Sequence, residues 1–256
     1  SVKTEFTGYT ETTSNSTILY ILKDGELVDN VQEGDDAVVI LDRTPFYAES
    51  GGQVGDTGYI RTGDGLFSVK DCKKAPDGKF LHIGTVERGL VEKGAAAVAE
   101  IDKARRLAIA RNHTTTHLLH KALKKVLGGH IAQAGSFVGP DRLRFDFSHF
   151  SPMEPEEIKR VENEINEKIL SALPVTVREM PVDEARRLGA VALFGEKYGN
   201  VVRVVSVGDY SMELCGGTHL TNSSQAGLVK ILGESGVAAG VRRIEALTGE
   251  SAIKYL

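Results

Sequence analysis

The 256-residue sequence predicts an α+β fold: a small N-terminal β-barrel over residues 1–93, then an α+β domain over residues 94–256. The second domain should combine a curved, mostly antiparallel sheet with one long helix. Three observations predict this. Short β-prone runs punctuated by Gly and Asp fill the first ninety-odd residues, the composition changes between Gly89 and Gly94, and a helical period then sets in before strands resume.

Taken in order, residues 16–22 and 37–41 read as strands parted by a turn at Asp24 and Gly25. Residues 59–61, 67–72 and 80–85 continue the pattern, with turns at Gly63 to Gly65 and Pro76 to Gly78. So many short strands suit a small barrel. Cys72 reads as one of its structural strand residues. After the alanine-rich run 95–101, Asp102 is placed to cap a long helix. Leu107, Ala110, His117, Leu118, Ala122 and Val126 keep the helical period until Gly128 and Gly129 stop it. Strands are expected at 131–138 and 143–147, then a helix at 155–173. Pro155 suits its first turn, and Glu156 and Glu157 complement the positive end of its dipole. A short helix at 183–188 and strands at 175–179, 201–207, 227–232 and 241–247 complete the domain.

Composition bounds the function without naming it. The net charge of −4 gives no global argument for nucleic-acid binding. Any RNA contact must rest on local pairs: Arg105 and Arg106, Arg142 and Arg144, Arg186 and Arg187, Arg242 and Arg243. Most of these read as solvated faces. No apolar run approaches the length of a membrane span and the N-terminus has no signal-peptide pattern, so a soluble cytoplasmic protein is expected. Cys215 lies in a ligand-type motif, which favours a reducing compartment over a disulfide with Cys72.

Two spacings carry the chemistry. His113-Thr-Thr-Thr-His117 and Cys215-Gly-Gly-Thr-His219 each hold two metal-ligand residue types at i and i+4. On a helix that spacing puts both side chains on one face. His with Cys is a borderline-soft set suited to Zn²⁺ rather than Mg²⁺ or Ca²⁺. The long helix is thus expected to be zinc-bearing, and the two glycines place the second pair on a tight turn. Both pairs come from only seven His and two Cys, which makes chance a poor account. His120 shares the helical face of His113 and reads as a surface or core histidine. Zinc-protease helices carry Glu after the first His; Thr114 stands there instead. Three ligands with an open position and four ligands in a closed site are both compatible with the spacing. Ser50-Gly51-Gly52-Gln53 looks like a phosphate loop, but no Lys follows at Walker spacing.

At these residues the sequence resembles the editing domain of alanyl-tRNA synthetases and of the freestanding AlaX proteins. The stretches 44–58, 142–149 and 240–246 agree with that family in its own order. The threonyl-tRNA synthetase editing domain resembles only the zinc-motif half. The resemblance implies a barrel followed by an editing domain, and hydrolysis of tRNA(Ala) mischarged with serine or glycine. It implies zinc on His113, His117, Cys215 and His219, with catalysis involving His113, Cys215 and Gln133. Glu213, in the Glu-x-Cys-Gly-Gly-Thr-His signature, is implied to orient a zinc-bound imidazole. Thr116, Gly51, Gly52, Gly216, Gly217 and Arg242 are carried over as substrate or tRNA contacts, and residues 50–53 as support for the pocket at the domain junction. No ATP-binding class signature is legible, so a piece of a synthetase, with the aminoacylation and C-terminal regions expected in cis, comes before a freestanding protein. A structural-zinc tRNA-binding module without catalysis and proofreading of threonyl-tRNA are the competing readings.

Overall fold

In the computed structural model, which describes residues 3–193 and 198–256, the chain divides into two units. The first comprises Ser1–Ser50 and Val54–Arg106; the second comprises Gly51–Gln53 and Leu107–Leu256. Six strands close a barrel in the first: β1 (Thr13–Lys23), β2 (Asp36–Leu41), β3 (Gly58–Arg61), β4 (Gly65–Lys74), β5 (Phe80–Glu92) and β6 (Ala96–Ile101). All neighbours are antiparallel in the order β6-β3-β4-β5-β2-β1, and β1 pairs back onto β6 from Ala96 opposite Thr17 to Glu100 opposite Thr13. Closure leaves these strands no free edge along the ring.

The barrel extends past the expected limit at residue 93. The alanine-rich run is β6, with Ala97, Ala99 and Ile101 alternating inward. Alanine has little intrinsic preference for strands; pairing on both sides overrides it. Small side chains also fit an interior already filled by Ile18, Ile21, Leu41, Phe46, Ile60 and Phe67. The unit ends on Arg106, whose guanidinium pairs with the buried carboxylate of Asp56 and donates to the carbonyls of Gly8 (2.7 Å) and Pro45 (2.8 Å). A bidentate pair inside a carbonyl cradle is a fixture of the fold, not a solvated face.

The second unit contains most of α1 (Lys103–Leu127), then β7 (Gln133–Val138), β8 (Leu143–Ser148), α2 (Pro155–Leu170), β9 (Val175–Pro181), α3 (Val182–Arg187), β10 (Val201–Val207), β11 (Ser211–Leu214), β12 (Val229–Ala238), β13 (Val241–Thr248) and α4 (Gly249–Tyr255). Asp102 caps α1 by accepting the Arg105 N–H at 3.0 Å. Glu154 and Glu157 form a capping box at the start of α2, which stops at Leu170, three residues short of expectation.

The single curved sheet expected is instead two. Strands run β7-β8-β13-β12 in one and β9-β10-β11 in the other, all antiparallel. The reason lies in two separate cores. Phe145, Phe147, Ile244 and Ala246 bury against Leu118, Leu119, Ala122 and Leu123 of α1 and Val161, Ile165 and Ile169 of α2. Met180, Ala185, Val202 and Val204 form a smaller cluster on the second sheet. β11 and α4 have no counterpart in the sequence reading, because Ser211–Leu214 is too short to announce a period.

The barrel also buries a histidine. His82 Nδ1–H donates to the Val39 carbonyl at 2.8 Å, leaving Nε2 to accept the Thr44 hydroxyl at 2.8 Å. Complete burial outweighs the Val39 contact and pushes His82 down to about 4. The unfolded chain takes up a proton near pH 6.5 that the folded barrel refuses until about 4. Stability from this group is therefore intact above pH 6.5 and falls by about 3 kcal/mol as pH drops to 4. Urea unfolding at pH 7 and pH 4.5 should show a smaller difference in His82→Asn than in the wild type; equal differences would remove His82 as the cause.

Candidate metal centre

His113 and His117 stand one turn apart on α1, both buried, and Cys215 and His219 follow β11. One donor atom from each of the four lies within 4.8 Å of the others. Cys215 Sγ is 3.4 Å from His113 Nε2 and 3.3 Å from His219 Nε2. The sequence motifs a hundred residues apart thus converge on one point.

The turn between Cys215 and His219 is shaped by what it must approach. A Cβ on Gly217 would stand 2.1 Å from His113 Cε1 and 2.3 Å from its Nδ1, so only glycine fits against the ring. The Gly217 N–H points at Cys215 Sγ from 3.4 Å. Arg203 Nη1 clamps the turn from outside by donating to the carbonyls of Cys215 (3.0 Å) and Gly217 (2.6 Å).

Each imidazole is held on its Nδ1 side. The Oε1 of Gln53, fully buried, accepts the His113 Nδ1–H at 2.7 Å and the Thr218 N–H at 2.9 Å, while its Nε2–H donates to Thr218 Oγ1 at 2.8 Å. This fixes the tautomer that turns the Nε2 lone pair of His113 toward Cys215. Thr114 Oγ1 meets His219 Nδ1 at 3.0 Å and accepts the Leu220 N–H at 3.1 Å. Glu213 Oε2 stands 3.2 Å from His117 Nδ1, a close ionic approach without hydrogen-bond alignment. His117 Nε2 is the nitrogen left for the cluster.

Electrostatics favour ligation. Burial of Cys215 works against its thiolate, but the imidazoles of His113, His219 and His117 outweigh it and hold the thiol well below its ordinary range. Burial and then His113 push His219 down to about 3. His117, which burial would lower, is raised to about 9 by Glu213 and Cys215. An acidified thiol and three imidazole Nε2 atoms, with His117 giving up its proton on binding, fit Zn²⁺ in donor chemistry and in spacing, and each ring has an amide, carboxylate or hydroxyl at its Nδ1.

The other expected site residues fall unequally. Glu213 lies beside His117. Gly51 and Gly52 have φ of 58° and 86°, and Gly52 lies so close to β7 that a Cβ would meet the Ser136 carbonyl at 2.5 Å. Gly216 belongs to the ligand turn. Thr116 donates its hydroxyl to the Asn112 carbonyl of its own helix at 2.8 Å; the threonine that meets an imidazole of the cluster is Thr114, against His219. Gln133 opens β7, half-buried and paired with Phe147. The amide in contact with the cluster is that of Gln53. Arg242 gives both ends of its guanidinium to Glu234, at 3.0 and 2.5 Å. Thr114 and Arg203 are not among the expected site residues; Gln53 is expected only as part of the 50–53 stretch that supports the pocket, without its contact to His113.

Comparison with known proteins places the chain. A model described as tRNA synthetases class II (A) matches residues 1–105, and one described as threonyl and alanyl tRNA synthetase second additional domain matches residues 202–245. The chain is 66% identical over 255 residues to an alanine–tRNA ligase of Acetivibrio thermocellus, covering 100% of this chain and 29% of the relative. The chain belongs to the alanine–tRNA ligase family. Family members of Geobacillus kaustophilus and Bacillus subtilis are 55% and 52% identical over 254 and 252 residues, which is 99% and 98% of this chain. The chain spans 29% of the length of each. The first model covers the barrel unit, where residues 44–58 carry part of the family resemblance.

Two substitutions test the geometry. Gly217→Ala should drive the turn off His113 and abolish tight zinc binding, and Gln53→Ala should weaken it roughly 10–100-fold by freeing the His113 tautomer. Chelator competition measures both. Native affinity in Gly217→Ala would mean that the turn does not serve a ligand site.

Proposed function

We propose that this chain is the editing part of a cytoplasmic alanine–tRNA ligase and hydrolyses tRNA(Ala) mischarged with serine or glycine. The remainder of the synthetase would act in cis. The observation that carries the reading is the convergence of His113, His117, Cys215 and His219, in a chain 66% identical to a segment of an alanine–tRNA ligase. When bound, Zn²⁺ would supply Lewis acidity at the ester.

The chain's own residues supply placement. Gln53, Thr114 and Glu213 aim the imidazoles, and Gly216 and Gly217 keep the turn free of side chains where an aminoacyl group must come near. Thr116, level with His117 on the helix, is the candidate hydroxyl for recognising a serine side chain, and a site that rewards an OH discriminates against alanine. Gln133 is assigned to the ester region, where a donor aimed at developing negative charge contributes roughly 10²–10³ in rate. Arg242 is the candidate tRNA contact; its pairing with Glu234 means that it would act through a carboxylate-held guanidinium.

Four protein donors in one shell also favour a second reading. A closed site would leave zinc to shape the pocket, and the chain would then grip tRNA without cleaving the ester. Deacylation of Ser-tRNA(Ala) separates the two. Hydrolysis that disappears in both Cys215→Ala and His113→Ala supports editing; an inactive wild type that still binds the tRNA supports the module. Activity on Ser-tRNA(Thr) instead would move the assignment to threonyl proofreading. Gln133→Ala should retain full zinc and lose roughly 10²–10³ in single-turnover rate. Native turnover in that variant would remove Gln133 from the site.

A further inference from the structure

His120 is the third histidine on the metal-bearing face of α1 and none of the four donors. Its Nδ1–H donates to Glu213 Oε1 at 2.7 Å, and both residues are buried, at 4% and 8% exposure. Glu213 is set by its strand: its backbone pairs with Val205 on one side and bridges Val191 on the other. Its side chain therefore enters between two imidazoles of one helix, and its second oxygen stands 3.2 Å from His117 Nδ1. The contact to His117 is poorly aligned, so among the described residues the hydrogen bond from His120 is the well-formed side-chain contact that fixes the rotation of the carboxylate. A buried carboxylate without such a donor has every reason to swing toward another partner.

We propose that His120 is a positioning residue for the metal centre: by fixing Glu213, it sets the carboxylate that orients His117 toward the ion. The inference rests on the zinc reading given above. It assigns the helix three tiers in sequence, with His113 and His117 as ligands and His120 as the anchor of the residue behind one of them. The spacing follows from the helix. His117 and His120 are i and i+3, near enough for one carboxylate to touch both rings. The competing role is plain core packing, since the His120 ring also lies 5.2 Å from that of Phe145.

Cobalt substitution tests this without requiring turnover. His120→Phe keeps an aromatic ring beside Phe145 and removes the donor; His120→Asn removes the ring and keeps an N–H that can reach Glu213. His120→Phe should lower zinc affinity roughly 10–100-fold and shift the visible bands of the bound Co²⁺, while His120→Asn keeps both near the wild type. In a Glu213→Gln background, His120→Phe should add little further loss, because the two act through one contact. Native affinity and spectrum in His120→Phe, equal losses in Phe and Asn, or fully additive losses with Glu213→Gln would each overturn the proposal. A wild-type chain that takes up neither metal would instead overturn the zinc reading, and this inference with it.

Discussion

The centre depends on one buried amide. Gln53 satisfies two N–H donors with its oxygen and one hydroxyl with its nitrogen, and each contact removes a freedom from the ligand cluster. Without it, His113 could present either nitrogen to Cys215, and the turn after Cys215 would lose its tie through Thr218. Leaving that oxygen unpaired in a buried site would cost about 1–3 kcal/mol, which holds the amide to its two N–H partners. Gly51 and Gly52 serve the same end. Their left-handed backbone brings residues 51–53 flat along β7, where the Gly52 carbonyl accepts the Val138 N–H at 2.8 Å and delivers Gln53 to the cluster.

Much of this was legible in the sequence, and the reasons differ by element. The four donors could be read because i, i+4 spacing on a helix is a rigid geometric statement and their residue types are scarce in this chain. Glu213 came from the family signature. Gln53 could not be derived, since nothing in a local spacing tells that an amide sixty residues before a histidine will face it. The barrel was foreseen from turn punctuation. Its last strand was not, because Ala96–Ile101 has the composition of a helix and becomes a strand only through partners on both sides, β1 and β3. The division of the second unit into two sheets escaped for a similar reason: strand lengths are written in the sequence, but the partner of each strand is decided by which apolar faces meet.

Charge behaves in the same non-local way. Four of the arginine candidates for RNA contact turn out to be hydrogen-bonded to carboxylates: Arg106 to Asp56, Arg142 to Glu245, Arg242 to Glu234 and Arg243 to Asp146. Their carboxylate partners lie 8 to 103 residues away in the chain, so adjacency of two arginines carries little information about their surface potential. The Asp56 pair is almost fully buried, and such a pair is costly to break from either side. By contrast, the charges around Cys215 balance one another within a cluster of donor atoms: the imidazoles of His113, His117 and His219 face the thiol, and Glu213 faces His117.

The grouping of Gly51–Gln53 with residues that follow Leu107 has a consequence for modularity. The second unit is not a continuous stretch of polypeptide: it borrows a tripeptide from inside the barrel sequence. Cutting the gene at the barrel's end would separate His113 from the acceptor of its Nδ1–H. Any descendant that inherited only the later stretch would have to find another oxygen for that position, or hold its histidine in a different way. Recombination at the unit boundary is thereby constrained by a single side chain, and the barrel and the fold that carries the His/Cys cluster are coupled in heredity through Gln53.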